Sequence, residues 1–175
     1  MIQRYPGAPY VPLIQREVGV TTEEASAIYE TYVARYRSMM PGGLRENAGA
    51  TELLRALAAH GIRLGLVTNK LEALAIEILG LFGWERLFGV VAGQDSCEFR
   101  KPHPGIVHHA LRVLDGSVEA TAFVGDTPSD MQCARAAGVP LIIGLVGTTE
   151  PPVLTEAGAT HLCPSLASVL KLVTV

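Results

Sequence analysis

The chain has 175 residues, 49% of them hydrophobic and 18% charged, a balance that excludes intrinsic disorder and a long coiled coil and fits one compact domain with an appendage of about thirty to forty residues. A formal net charge of −3 and an isoelectric point near 5.9 leave no electrostatic footprint for nucleic acid or an anionic membrane surface. Mean hydropathy is +0.30, yet the longest apolar stretches, such as Leu141 to Val146, are glycine-broken and far short of the roughly 20 residues a helical membrane span requires.

Pro6, Gly7, Pro9 and Pro12 predict an irregular start over the first twenty residues. Thr21-Thr22-Glu23-Glu24 has the form of a capping box, with Thr21 as the cap and Glu24 reaching back to it. Ala25, Ile28, Tyr32, Val33, Tyr36 and Met39 follow at helical spacing and predict an amphipathic helix to about Met40. Pro41-Gly42-Gly43 ends it as a hinge or linker, so residues 1–41 read as one segment and 42–175 as another.

From Ala48 onward helix and strand alternate. Leu53, Leu54 and Leu57 mark a helix stopped by Gly61, a glycine placed to take the left-handed conformation past a helix end. Strands are predicted at Ile62 to Val67, Gly89 to Ala92, Ala120 to Val124, Leu141 to Ile143 and His161 to Cys163. Helices are predicted at Leu71 to Leu81, Ile106 to Leu114, Ser129 to Ala137, Leu154 to Ala157 and Leu166 to Val173. This alternation specifies an α/β fold with a parallel sheet covered on both faces, which also accounts for the apolar surplus. Cys97, Cys133 and Cys163 are odd in number and lack metal-ligand spacing, and no basic-then-apolar leader opens the sequence. Both features point to a reducing, cytoplasmic setting.

In an open parallel sheet, ligands bind beyond the carboxyl ends of the strands. Three loops in that position carry polar residues: Thr68-Asn69-Lys70, Arg100-Lys101-Pro102-His103-Pro104 and Gly125-Asp126-Thr127-Pro128-Ser129-Asp130. Each also has an ordinary structural reading. Thr68 and Asn69 could cap the next helix, Lys101 could be a plain extended residue before proline, and Asp126 could turn the chain while Ser129 caps the following helix. Together they suit phosphate chemistry. A hydroxyl and an amide donate hydrogen bonds to phosphoryl oxygens, and a fixed ammonium neutralises growing negative charge. Asp126 and Asp130, four residues apart across a strand end and one helical turn, can anchor Mg²⁺ beside water and phosphate.

The order and spacing of Leu66-Val67-Thr68-Asn69-Lys70, Lys101-Pro102-His103-Pro104 and Val124-Gly125-Asp126-Thr127-Pro128-Ser129-Asp130 resemble motifs two, three and four of the haloacid dehalogenase (HAD) superfamily. The likeness is closest to its phosphoglycolate-phosphatase-like branch, with Ala134-Arg135-Ala136-Ala137-Gly138 and the Glu52-Leu53-Leu54…Leu57 helix agreeing. The resemblance implies a Rossmann-like three-layer α/β/α core over residues 42–175 and a partial helical cap over residues 1–41. It also implies Mg²⁺-dependent hydrolysis of a small phosphorylated metabolite such as 2-phosphoglycolate, with no nucleic-acid or membrane partner. Thr68 would bind the transferring phosphoryl group with Asn69 beside it, and Lys101 would balance its charge. Asp126 would ligate the metal, Asp130 would support it directly or through water, and the cap would choose the substrate.

The same resemblance implies an Asp-x-Asp-Gly-Thr motif at the end of a first core strand, whose leading aspartate attacks phosphorus and whose second acts as general acid and base. The aspartates here are Asp95, Asp115, Asp126 and Asp130, none ahead of Thr68. The expectation is therefore a core short of its first strand, and a chain inactive alone. Three origins stay open: a fragment of a longer phosphatase, a truncated paralogue without activity, or a site completed by another chain or by swapping. The alternative function is a non-catalytic phosphate- or Mg²⁺-binding or interaction module, and a dehalogenase or phosphonate hydrolase is a weaker third reading. An uncovered sheet edge makes a homo-oligomer a reasonable expectation. His108 and His109 project about 100° apart on a helix and read as a surface pair. Tyr29, Tyr32 and Tyr36 recur at helical spacing and read as packing.

Overall fold

The computed structural model describes residues 10–173, so the irregular start read from Pro6, Gly7 and Pro9 lies outside the described residues. The chain divides into two compact units, Met1–Arg45 and Glu46–Val175. In the first, α1 spans Tyr10–Val18 and α2 spans Thr22–Gly43. Helix α1 corrects the expectation of an irregular stretch through residue 20. Pro12 is its third residue, where a missing N–H costs nothing because the first-turn donors have no helical carbonyl to meet. The capping box on α2 forms as expected: Glu24 N–H donates to Thr21 Oγ1 at 3.3 Å, and Thr21 N–H donates to Glu24 Oε2 at 2.9 Å. Helix α2 does not stop at Met40. Pro41, Gly42 and Gly43 form its last turn rather than a linker, and Leu44 N–H closes that turn on the Met40 carbonyl at 3.2 Å. The tyrosines pack as a ladder, with ring centroids 5.2 Å apart for Tyr10–Tyr29, 6.2 Å for Tyr29–Tyr32 and 6.1 Å for Tyr32–Tyr36.

The second unit runs α3 (Ala50–Ala59), β1 (Leu64–Val67), α4 (Glu72–Phe82), β2 (Phe88–Ala92), α5 (Gly105–Val113), β3 (Ala122–Gly125), α6 (Pro128–Ala136), β4 (Leu141–Leu145), α7 (Pro151–Ala157), β5 (His161–Cys163) and α8 (Leu166–Val173). All strand pairings are parallel, β1 with β2 and β4 with both β3 and β5. Helices cover both faces, in the three-layer α/β/α arrangement. Adjacent residues of a strand point to opposite faces, and β4 shows the consequence. Ile142 packs with Ile106, Met131 and Leu154 of α5, α6 and α7, whereas Ile143 packs with Leu53, Leu57 and Val169 of α3 and α8.

The strands form two ribbons, β2–β1 and β3–β4–β5, not one continuous sheet. Three consecutive residues of β4 are buried, but no residue of β1 or β3 is, and Val124 of β3 is 41% exposed. Between the two ribbons lies an open cavity of about 520 Å³. Its walls include Leu66 of β1, Phe123 and Val124 of β3, Leu111 of α5 and Val169 of α8.

Candidate active site

The loops leaving β1 and β3 meet at one cluster, tied through the loop ahead of α5. Thr68 N–H donates to the Ala92 carbonyl at 2.9 Å, which continues the β1–β2 ladder one step past the strand. The Thr68 hydroxyl then accepts Lys70 N–H at 3.2 Å in a local turn. Asn69 clasps the backbone of Lys101 with both ends of its amide: Nδ2 donates to the Lys101 carbonyl at 3.1 Å, and Oδ1 accepts Lys101 N–H at 3.0 Å. Neither residue caps α4. That role falls to Asp95, whose Oδ1 accepts Glu72 N–H at 2.7 Å.

The clasp fixes where the Lys101 side chain starts, and its ammonium meets Asp130 Oδ1 at 2.5 Å. The pair is sheltered, with the two side chains 14% and 6% exposed. The other carboxylate oxygen, Oδ2, accepts Thr127 Oγ1–H at 2.6 Å, Thr127 N–H at 3.0 Å and Asp126 N–H at 3.3 Å. Thr127 and Asp130 thus form a second capping box, at the start of α6. Thr127 is the cap, so the reading that gave this role to Ser129 is corrected; Ser129 is buried, with its hydroxyl unpartnered. The tight turn depends on Gly125. A Cβ there would lie 2.4 Å from Asp130 Cβ, a contact that side chains do not tolerate.

Asp126 sits half-buried at the end of β3, and the loop after β4 holds it by both backbone and side chain. Thr148 Oγ1–H donates to Asp126 Oδ2 at 2.6 Å, and Thr149 Oγ1–H donates to the Asp126 carbonyl at 2.6 Å. The sequence reading passed over these two threonines. Their signal was positional, since they follow β4 at the same end of the sheet as the other loops. Beneath the cluster, Cys133 Sγ–H donates to the His103 carbonyl at 3.2 Å. Burial pushes its thiol up to about 11, with the Lys101 ammonium pulling it partly back.

Asn69, Lys101, Asp126 and Asp130 are thereby brought into one hydrogen-bonded chain, with Thr68 at its β1 end. A sheltered lysine and a row of hydroxyls suit an anionic oxygen ligand, and the half-buried carboxylate suits a cation beside it. Among the described residues, no three His, Cys, Asp or Glu side chains gather into a metal-ligating group. Nor is any described helix long and apolar enough to cross a membrane.

Parallel strands with this cluster at their carboxyl ends define a Rossmann-like α/β domain, and comparison with known proteins narrows the class. Residues 3–143 match the family model of the haloacid dehalogenase-like hydrolases, and the chain belongs to that family. Among curated proteins it is similar to a phosphoglycolate phosphatase of Agrobacterium fabrum, 34% identical over 139 residues, covering 79% of this chain and 60% of that protein. The chain therefore spans about 60% of that relative's length. Among solved structures it is similar to a predicted phosphoglycolate phosphatase from Haemophilus somnus, with a TM-score of 0.80 and 25% identity, covering 93% of this chain and 73% of that one. It is also similar to CbbY from Rhodobacter sphaeroides in complex with phosphate, with a TM-score of 0.71 and 26% identity, covering 83% and 65%.

Proposed function

We propose that the cluster binds the phosphoryl group of a small phosphomonoester, of the 2-phosphoglycolate kind, as part of a phosphatase. The observation that carries this reading is the sheltered Lys101–Asp130 pair clasped by Asn69 between the ends of β1 and β3. Lys101 is held where it can balance phosphoryl charge without a flexible search, so little ordering entropy remains to be lost on binding. Its ammonium has three donors and Asp130 takes one, which leaves capacity for an anionic ligand. Asp130 acts by position: its oxygens hold Lys101 and the backbone of Asp126 and Thr127. The Thr68 hydroxyl, at the end of β1, supplies a neutral donor once it turns from accepting Lys70 N–H. The names of the relatives, and phosphate bound to one of them, support the choice of ligand.

Mg²⁺ fits the donor chemistry in part. Asp126 offers a hard carboxylate held by Thr148, which suits an ion that uses one or two carboxylates beside phosphate and water. The engaged oxygens of Asp130 place it behind Asp126, not beside it. When bound, Mg²⁺ would supply charge neutralisation at the phosphoryl oxygens. The helical unit ending at Arg45 is assigned to part of a substrate-selecting cap, and the setting to the cytoplasm.

No aspartate precedes Thr68, so the residues in hand offer no aspartyl nucleophile ahead of the cluster. Loss of a nucleophile costs on the order of 10⁶ in turnover. The purified chain is expected to bind 2-phosphoglycolate in the presence of Mg²⁺, measured by calorimetry or ³¹P NMR, and Lys101→Met is expected to abolish that binding. Hydrolysis at ordinary enzyme rates by the 175-residue chain would refute the predicted inactivity, and equal binding by the wild type and Lys101→Met would refute the site.

A further inference from the structure

Asp126 is held by more of its atoms than a loop carboxylate needs. Its N–H donates to Asp130 Oδ2 at 3.3 Å, its carbonyl accepts the Thr149 hydroxyl at 2.6 Å, and its Oδ2 accepts the Thr148 hydroxyl at 2.6 Å. Among the described residues, no group donates to Oδ1. The two threonines are in turn placed by firm neighbours. Val146 N–H donates to the Cys163 carbonyl at 2.9 Å, which carries the β4–β5 ladder one step past β4. Gly147 then turns the chain with a φ of 155°, and Pro151 and Pro152 open α7. Only residues 148–150 lie between that turn and that helix, so both hydroxyls approach Asp126 from a short loop tied at each end.

We propose that Thr148 is a positioning residue that makes Asp126 a one-oxygen ligand and thereby sets a preference for Mg²⁺ over Ca²⁺. The inference rests on the reading of Asp126 as a cation ligand, and adds to it which cation is favoured and which residue does the choosing. The two ions differ in what they ask of a carboxylate. Mg²⁺ is small, keeps several waters and demands near-ideal octahedral geometry, whereas Ca²⁺ accepts a carboxylate through one oxygen or both. A hydroxyl donating to Oδ2 engages that oxygen and pins the plane of the carboxylate, so Oδ1 is left as the open donor. A ligand oriented in this way by an outer hydrogen bond commonly owes that partner about 10- to 100-fold in metal affinity. Without the hydroxyl both oxygens become available, and the ion that can use both is the one that keeps its affinity.

Thr149 has a different part. Its hydroxyl holds the Asp126 backbone and so fixes the point from which the side chain starts, while Thr148 fixes how the side chain ends. A purely structural bond between the loop after β4 and the end of β3 would lower the affinity of both ions alike when removed. The ratio of the two affinities therefore separates a positioning role from a structural one.

Displacement of Mn²⁺ by Mg²⁺ and by Ca²⁺, followed through the EPR signal of free Mn²⁺, tests this on the full 175-residue chain. Thr148→Val keeps the shape of the side chain and removes its hydroxyl. Because the position is exposed, the variant is expected to keep the wild-type melting temperature. Its Mg²⁺ affinity is expected to fall about tenfold, and its Ca²⁺ affinity to stay within about twofold of wild type. Thr148→Ser puts the hydroxyl back and is expected to restore both affinities. With no metal present, the ¹³C resonance of the Asp126 carboxyl carbon is expected to shift in Thr148→Val and to return in Thr148→Ser. A wild-type ratio of Mg²⁺ to Ca²⁺ affinity in Thr148→Val, failure of serine to restore it, or an unmoved ¹³C resonance would overturn this proposal alone. Asp126→Asn tests the reading beneath it and is expected to abolish Mn²⁺ binding at the site. Binding that persists unchanged in that variant, or no Mn²⁺ binding by the wild type, would overturn the cation reading at Asp126 and this proposal with it.

Discussion

At the scale of single residues, the site rests on charges and dipoles that hold one another. Asp130 is almost fully buried, and what makes that tolerable is Lys101 on one oxygen and three donors on the other. Removing one partner of a sheltered ion pair leaves the other charge uncompensated, so Lys101→Met should cost about 3 kcal/mol of stability, measured by urea unfolding at neutral pH. A change within about 0.5 kcal/mol would show that the pair is solvated and not a structural tie. Cys133 makes a different prediction, one that depends on pH. Its thiol is pushed from 9.0 in the unfolded chain up to about 11 in the fold, chiefly by burial. The folded state therefore prefers the protonated thiol: this stability is fully present below pH 9.0 and drains as pH rises towards about 11. Wild type should lose stability over that window with a component that Cys133→Ala lacks. Parallel alkaline slopes for the two proteins would exclude it.

At the scale of elements, each polar residue of the site also shapes the start or end of a helix or strand. Thr127 caps α6 while its hydroxyl bonds to Asp130, and Asp126 ends β3 while Thr148 and Thr149 anchor it to the loop after β4. The helix start and the site are thus one construction. Thr127→Ala should cost about 1 to 2 kcal/mol by loss of the cap. Because Asp130 loses one of its four donors, the Thr127 hydroxyl, in the same step, phosphate affinity should fall with it. The comparison is Thr21→Ala, which removes the equivalent cap from α2 in the other unit: it should cost a similar amount of stability and leave phosphate affinity unchanged. Loss of affinity in both variants would mean that general destabilisation, not the local geometry, sets binding.

At the scale of the whole second unit, the core is built around β4, which has strand neighbours on both sides and helices on both faces. Ile143 is fully buried there, and truncation to alanine leaves a cavity that tight packing cannot close. Ile143→Ala should cost about 3 to 4 kcal/mol in chemical denaturation, within the usual range for such truncations. The same change at Val124, exposed in the gap between the ribbons, should cost under about 1 kcal/mol in the chain alone. Equal costs would mean that the gap is closed in solution.

How much of this was legible in the sequence varies with range. The alternation of apolar runs with turn residues determined the α/β class and the existence of every element from α3 to α8, because periodicity and capping are local properties. Strand edges slipped by up to two residues, as Arg63 shows: it turns to the carbonyls of Leu114 and Asp115 instead of opening β1. Prolines misled at both ends of the first unit. Their local meaning is a break, yet Pro12 lies in the first turn of α1, where the lost donor costs little, and Pro41 lies within α2, which runs on to Gly43. The spacing of Thr68, Lys101, Asp126 and Asp130 marked the chemistry. It could not say that Asn69 would be spent on the Lys101 backbone, or that Thr148 would hold Asp126, because those bonds join residues 32 and 22 positions apart. The chain by itself determined which elements form and which polar residues lie past the strand ends. Only the tertiary structure decided which of those residues bond to one another, and it left two parallel edges with a gap between them, since pairing across a sheet depends on what is brought alongside and not on any one segment's own pattern.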